Sequence, residues 1–485
     1  MTAPAGEQQN VNPEERLEPL LNAFEEKIRP LADNTAYYES ERRPDAIGIA
    51  VPPEMRKLLA HVGYPRLYVN SIADRLELEG FRIAGESDAD EELWDWWSAN
   101  DLDVESTLGH VDALVHGRSF VTVSAPDPSI DLGVDPTVPM IRVEPPTNLH
   151  AVIDPRTRQV KEAIRAIYDE EGNEIIGATI YLPNVTAYFD KVEGEWTQGR
   201  PAVNHGLEMV PVIPLPNRNR LSDLYGTSEI TPELRSVTDA AARTLMLMQS
   251  TAELMGVPLR LLFGIKRSEI GLPDDPDEPV SPRQAFEAYY ARILGFEDEM
   301  GKAYQFDAAE LRNFVDALDA LDKKAAAYTG LPPQYLSFSS DNPASAEAIR
   351  SSESRLVMNC ERKARIFGGA WEQVMRVAWK VMKGGEIPPQ MYRLEALWSD
   401  PSTPTYAAKA DAASKLYNQG MGVIPREQAR IDMGYSVETR RQMREWDKEE
   451  NPVGQLAGLY APRTGDTPPS GDQPSEAPAK EVTEE

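Results

Sequence analysis

The sequence predicts an α+β fold, and three observations predict it. Apolar residues recur at steps of three and four over several long stretches, the signature of one-sided helices. From Arg118 to about residue 216 the period drops to two and short apolar runs alternate with Pro, Asp and Gly clusters, which reads as strands and turns. Two helical runs of matched length, Leu234 to Met255 and Leu311 to Tyr328, flank a module at residues 257–306 too small to bury a core of its own. Such a pair is expected to lie antiparallel and side by side.

In chain order, residues 1–10 show no pattern and are expected to be disordered. Residues 13–29 place Leu17, Leu20, Leu21, Phe24 and Ile28 on one helical face. Further helices are predicted at residues 53–59, 68–78 and 91–115. The last opens on Leu93, Trp94, Trp96 and Trp97, and with no basic residues interleaved these aromatics read as core or inter-subunit packing. Strands follow around Phe120, Met140 and Val152, then at residues 160–168, 175–182 and 185–192, with turns at residues 169–173 and at Glu193-Gly194. Thr231 is placed to cap a helix with Pro232 in its first turn, and Leu234, Val237, Ala241, Leu245, Met248, Ala252 and Met255 form its seam. At 1.5 Å per residue that seam is roughly 33 Å long. The intervening module reads as a strand at residues 258–265, an acidic proline-rich loop at 273–279, a helix at 282–294 and a strand near Tyr304. The second long helix is expected from Asp307, with Glu310 completing a capping-box-like pair, and its seam runs through Leu311, Phe314, Leu318, Leu321, Ala325 and Tyr328. Gly330 reads as its C-cap, and the prolines and polar residues up to Pro343 as a non-helical loop.

An unusually long helix is predicted over residues 344–382. Its buried stripe is Ile349, Leu356, Cys360, Phe367, Trp371, Val374, Ala378 and Val381, and a kink is expected at the adjacent Gly368 and Gly369. Helices at 406–419, 425–433 and 437–449 follow, stopped by Gly420 and Gly434. Residues 451–485, rich in Pro, Gly, Ser and Glu, read as a solvated tail.

Composition narrows the function. The chain has 79 Asp+Glu against 50 Lys+Arg, a formal net charge of -29, so broad attraction to phosphate is not what this surface provides. Cys360 is the one cysteine, which excludes intramolecular disulfides and fits a reducing compartment. There is no basic-then-apolar leader, and no stretch approaches the ~20 apolar residues of a membrane span, so a soluble, cytoplasmic chain without a membrane role is expected. Signatures of common catalysts are missing: no Gly-rich phosphate loop ending in Lys-Ser/Thr, no HExxH, no paired CxxC, no GxSxG. His110 and His116 lie six residues apart on one helix and point to different faces, a poor metal pair. The acidic clusters Asp88/Asp90/Glu91/Glu92 and Asp274/Asp275/Asp277/Glu278 leave open a metal-dependent DNA-processing enzyme. The first, however, precedes a helix, where carboxylates complement the dipole without a metal, and the second sits in a proline-broken loop. No catalytic residue, metal or cofactor is therefore expected. Arg235, Arg243, Lys323 and Lys324 decorate the long helices as solvated residues or, if those helices line a channel, as sparse phosphate contacts suited to sliding.

Several stretches, in this order, resemble the portal proteins of tailed bacteriophages, in particular the SPP1-like branch found widely in phages of actinobacteria. They are Tyr68-Val-Asn-Ser-Ile-Ala-Asp-Arg-Leu76 with Glu79-Gly-Phe81, Val143-Glu-Pro-Pro-Thr-Asn-Leu149, and Gly226-Thr-Ser-Glu-Ile230. Thr329-Gly-Leu-Pro-Pro-Gln-Tyr-Leu336 with Asn342-Pro-Ala-Ser345 follows, then Gly422-Val-Ile-Pro-Arg-Glu-Gln-Ala-Arg430. The resemblance spans nearly the whole chain. It implies a phage portal fold: a wing at residues 1–226 of helices then a β meander, a two-helix stem at 227–256 and 307–330, and a small α/β clip at 257–306. It further implies a tunnel loop at 331–344, a long kinked wing helix with a return segment at 345–405, a helical crown at 406–450 and a disordered acidic tail. It also implies a structural subunit of a dodecameric head-to-tail connector ring in the virion capsid, assembled in the host cytoplasm, and not an enzyme. The partners implied are double-stranded DNA passing non-specifically, the terminase large subunit, a head-completion or adaptor protein, and the major capsid and scaffold proteins. Ser337, Phe338, Ser339, Ser340, Asp341 and Asn342 correspond to the tunnel loop facing DNA. A non-portal head assembly protein is the other alternative to the portal reading; the module set between antiparallel helices argues against it.

Overall fold

A computed structural model of the chain describes residues 12–42, 60–84, 86, 89–172, 174–255, 260–263, 293–296, 303–305, 310–336, 346–402, 406–417, 421–435 and 437–450, with side chains undescribed within 253–309 and at 346–348, 406–408, 437–438 and 448–450. It divides into two compact units, residues 1–403 and 404–485.

The first unit opens with α1 (Pro13–Ile28), α2 (Leu31–Tyr38), α3 (Tyr64–Ala73), β1 (Leu78–Arg82), α4 (Glu91–Ala99) and α5 (Leu102–His116). Strands β2 (Arg118–Ser124), β3 (Met140–Glu144), β4 (Leu149–Ile153), β5 (Val160–Tyr168), β6 (Ile175–Tyr181), β7 (Val185–Val192), β8 (Glu195–Asn204) and β9 (Val212–Pro216) follow. Then come α6 (Pro232–Met255), the short strands β10 (Arg260–Phe263), β11 (Ile293–Phe296) and β12 (Ala303–Gln305), α7 (Arg312–Thr329), α8 (Ala346–Lys383) and β13 (Glu395–Trp398).

β4 to β8 form an antiparallel meander in sequence order. Its side chains alternate between faces as strand geometry requires: Ile164, Ala178, Ile180 and Phe189 meet Leu17, Leu20 and Phe24 of α1, while Ala163 joins Leu149, Ala151, Phe120 and Val212 on the other face. β2 is the centre of a second antiparallel sheet, ordered β3-β2-β9. Most of the remaining core gathers α3, α4, α5 and this sheet around α8, where Trp97 packs edge-on to Trp371 at 4.9 Å and Trp96 lies 6.4 Å from Trp379. The Trp-rich helix start is therefore core, as expected.

Several element boundaries differ from the sequence reading. The helix expected at 68–78 is α3, which starts earlier, with Pro65 in its first turn, and ends at Ala73; Leu78 belongs to β1, which pairs antiparallel with β13. The helix expected at 91–115 is two helices. Buried Asn100 interrupts it: its amide donates to the Trp96 and Pro139 carbonyls at 2.9 and 2.8 Å and accepts from the Ile141 N–H at 3.0 Å, while Asp101 turns left-handed at φ 53. β8 was not foreseen, because most of its residues are exposed and show no buried alternation. α7 starts at Arg312 with Leu311 as an N-cap that makes no side-chain bond, so no Asp307–Glu310 box begins it; Asp307 itself lies outside the described residues. In the module, β10 pairs parallel with β11 and antiparallel with β12. Ile293 and Leu294, expected in a helix, are in a strand, and the rest of 282–294, like the helix at 53–59, the acidic loop at 273–279 and the tail, lies outside the described residues.

α6 and α7 pack together through Ala241, Ala242 and Leu245 against Leu318 and Leu321. The start of α6 lies beside the end of α7, since Thr231 and Leu234 share a cleft with Tyr328 and Thr329, so the pair is antiparallel. Tyr328, expected in the seam, is exposed, and Ala325, Ala326 and Thr329 take the buried positions. The α8 stripe is buried from Leu356 to Ala378, but Ile349 is exposed. Ala346–Lys383 is one continuous helix that runs through Gly368 and Gly369.

The second unit holds α9 (Tyr406–Tyr417), α10 (Arg426–Asp432) and α11 (Val437–Glu450), close to the expected spans. Asp447 of α11 pairs with Arg426 and Arg430 of α10, each at 2.8 Å.

Candidate functional site

The turn ahead of α6 is built so that one carboxylate faces inward. Gly226 is left-handed at φ 82, and a Cβ there would run into the Gly117 carbonyl, so only glycine fits. Ser228 donates to the Val115 carbonyl at 2.5 Å, and the Glu229 N–H to that of Leu114 at 2.8 Å. These bonds aim the Glu229 side chain at α3 and α8. Tyr68 donates to it at 2.9 Å, Asn217 at 2.9 Å, and the fully buried Lys363 ammonium pairs with it at 2.5 Å. Lys363 also donates to the side-chain carbonyls of Asn217 and Asn219 at 2.5 and 2.8 Å, so all three of its protons are used.

Desolvation works to raise the Glu229 pKa, but the Lys363 charge and the amides of Asn217 and Asn219 outweigh it and hold the carboxyl below its ordinary value. Burial pushes the Tyr68 hydroxyl well up, which keeps it a donor. The arrangement is a closed ion pair with satisfied partners. It positions elements and offers no free base or nucleophile.

A second polar group sits at the root of the segment after α7. Gly330, left-handed at φ 74, ends that helix, and residues 333–335 form a single 3₁₀ turn within the stretch expected to be non-helical. Tyr335 donates to Glu353 of α8 at 2.7 Å and accepts from Arg75 at 3.0 Å; Gln334 bonds Ser352 at 2.9 Å. The chain leaving at Leu336 is thus fastened to α3 and α8. Ser337, Phe338, Ser339, Ser340, Asp341 and Asn342 lie outside the described residues.

Of the four candidate bases, Arg235 is engaged within its own chain: it bonds Asn34, donates to the Ile230 carbonyl at 3.1 Å and lies 5.1 Å from the Tyr37 ring. Arg243, Lys323 and Lys324 are exposed on α6 and α7. A Cβ on Gly368 would lie 3.0 Å from the Trp398 indole nitrogen, whereas one on Gly369 would meet nothing within 4 Å, so Gly368 serves the close approach of β13.

The acidic cluster before α4 has structural partners: Asp90 caps the helix by accepting from the Leu93 N–H at 2.9 Å, and Glu92 pairs with Lys383 at 2.6 Å. Asp88 and the 274–278 cluster lie outside the described residues. Among the described residues no group of three or more His, Cys, Asp or Glu is placed to hold a metal ion, and no helix is long and apolar enough to cross a membrane.

Sequence reasoning missed Lys363 and Glu353, and the signal was present. Position 363 falls three residues after Cys360 and four before Phe367, on the buried stripe of α8; position 353 falls four after Ile349 and three before Leu356. A charge on such a stripe calls for a buried partner.

The portal protein of Mycobacterium phage L5 is 62% identical over 455 residues, covering 94% of this chain and 92% of that protein. That of Mycobacterium phage D29 is 62% identical over the same length, covering 94% and 93%. Among solved structures, a chain from the neck of a native GTA particle, in a reconstruction computed with C12 symmetry, aligns with 82% of this chain and 99% of its own at 13% identity and a TM-score of 0.40. The profile of the family described as "Phage portal protein, SPP1 Gp6-like" matches residues 17–454, and with those relatives it establishes that the chain belongs to this family of phage portal proteins.

Proposed function

We propose that this chain is one subunit of a dodecameric ring at a single vertex of a tailed-phage head, a channel through which double-stranded DNA is packaged and later ejected. The observation that carries this reading is the 62% identity to mycobacteriophage portal proteins across 94% of the chain. In this reading α6 and α7 are the stem, β10 to β12 belong to the clip that meets the terminase large subunit and later a head-completion protein, and residues 337–342 are the tunnel loop. α9 to α11 would be the crown, and the remainder of the first unit the wing, set among major capsid and scaffold proteins. The antiparallel α6–α7 pair supports the reading, because its outer side keeps Val315 and Tyr328 exposed for a neighbouring copy. The Tyr335 bonds to Arg75 and Glu353 support a loop whose base is fastened to α3 and α8.

The role is structural. ATP hydrolysis falls to the terminase, and a mostly acidic channel wall gives moving DNA no deep trap. Negative-stain images of the purified protein are expected to show rings with a central hole; a uniformly monomeric protein would refute the reading. In a phage carrying Phe338→Glu, rings are expected to form while packaging or DNA retention is impaired, and normal packaging would remove Phe338 from the channel.

A further inference from the structure

Two surface features at opposite ends of the β3-β2-β9 sheet match one another in charge and polarity. The first is the loop of residues 125–139 between β2 and β3. It holds Asp127, Asp131 and Asp135 and no base. Its shape is fixed by its own carboxylates: Asp127 accepts from the Ser129 N–H and hydroxyl at 2.9 and 2.6 Å, Asp131 from the Asp127 N–H at 2.8 Å, and Asp135 from the Thr137 N–H and hydroxyl at 2.8 and 2.6 Å. This rigid loop holds apolar side chains out in water, with Leu132 85% and Ile130 55% exposed. An ordered loop that displays leucine and isoleucine is built for contact.

The second feature is a cleft of about 500 Å³ between the second half of β9, the segment that follows it and Ile366, Gly369, Ala370 and Gln373 of α8. Arg158, Arg218 and Arg220 line it and no carboxylate does, while Pro214, Pro216 and Leu221 add apolar surface. Leu221 is 86% exposed. The rim is also fixed: Arg218 donates to the Asp223 and Leu221 carbonyls at 3.0 and 3.2 Å, and Arg158 is held left-handed at φ 60, an uncommon conformation for arginine.

The loop leaves β2 beyond the Ser124–Met140 pair, and the cleft begins at Pro214, which pairs with Phe120. Four residues of strand separate these ends, roughly 13 Å at about 3.3 Å per residue, and no residue of the 125–139 loop lines the cleft, so a chain's own loop does not fill its own cleft. Complementary patches on different faces of one subunit, here at opposite ends of one sheet, make a head-to-tail contact, the kind that closes into a ring. We propose that the 125–139 loop of one copy seats in the arginine cleft of the next, with Leu132 against Leu221 and the prolines and the aspartates facing Arg158 and Arg220. This rests on the ring reading and names the surfaces that close it. Duplex DNA is the lesser occupant, because the apolar half of the cleft offers nothing to phosphate.

The buried Cys360 makes a direct test practical, since introduced thiols stand against a quiet background. Full-length chain carrying both Leu132→Cys and Leu221→Cys, assembled and then mildly oxidised, should give a ladder of disulfide-linked multimers on a denaturing gel. A mixture of the two single variants should stop at dimers. Arg220→Glu should weaken association of otherwise unmodified chains about tenfold. Intact rings that yield no ladder would overturn the proposal and leave the ring reading standing; absence of rings from the unmodified protein would overturn both. Protection of the thiol in Leu221→Cys by duplex DNA, with no protection on assembly, would also overturn it and assign the cleft to nucleic acid.

Discussion

Lys363 brings a full charge to a place with no exposed surface, and it is tolerated because Glu229, Asn217 and Asn219 take its three protons. Removing one partner of such a pair costs far more than the pair contributes, because the other charge is left buried. Lys363→Met is expected to destabilise the fold by about 3–5 kcal/mol in urea denaturation, and Lys363→Met/Glu229→Leu to recover a good part of that loss. Because the folded carboxyl lies below its ordinary pKa, the pair's contribution is present above the ordinary carboxylate range and is lost as pH falls through the lower, folded value. His110 adds a second acid sensitivity. Trp371 donates to its Nε2 at 2.9 Å, which makes the ring neutral with its proton on Nδ1, and burial lowers its pKa from 6.5 to about 3. As pH falls below about 6.5 the unfolded chain takes up that proton and the folded chain does not, so stability declines with acidification. His110→Gln should flatten the decline between pH 6 and 4 in denaturation midpoints measured against pH; an unchanged slope would move the effect to His116 and His150, which burial lowers to about 4. None of these pairings could be read from sequence, because Glu229 and Lys363 stand 134 residues apart.

Among the elements, legibility followed how much of each face is buried. α1, α6 and the α8 stripe were readable because one side carries most of the apolar residues. α4 and α5 were read as one helix because Asn100 interrupts them through tertiary bonds to Pro139 and Ile141, which no local pattern reports. β1 and β13 were missed because each is short and finds its strand partner far along the chain. The glycine pair in α8 separates two causes that composition merges. Gly369→Ala fills open space and should raise stability by up to about 1 kcal/mol through helix propensity. Gly368→Leu must push β13 from the helix and should lower the melting temperature; equal effects from both changes would show that Trp398 is not held as described.

For the whole molecule, a net charge of -29 makes an isolated subunit a poor partner for nucleic acid. No stable complex with duplex DNA is expected in gel-shift assays at about 0.15 M salt, where non-specific binding depends on neutralising phosphates. Tight retention of duplex DNA at that salt would contradict a slippery wall. The bulk charge was legible from composition; which bases stay in solvent was not, since Arg235 is spent on Asn34 and Tyr37. The pairing of Phe81 with Ala396 bears on biosynthesis. A ribosome must deliver nearly the entire first unit before the strand that closes this sheet exists, so early nascent chains hold an uncovered edge open to other chains. Completion of the fold is therefore a late event with high contact order, and a message truncated before codon 395 should yield an insoluble fragment instead of a shortened native protein.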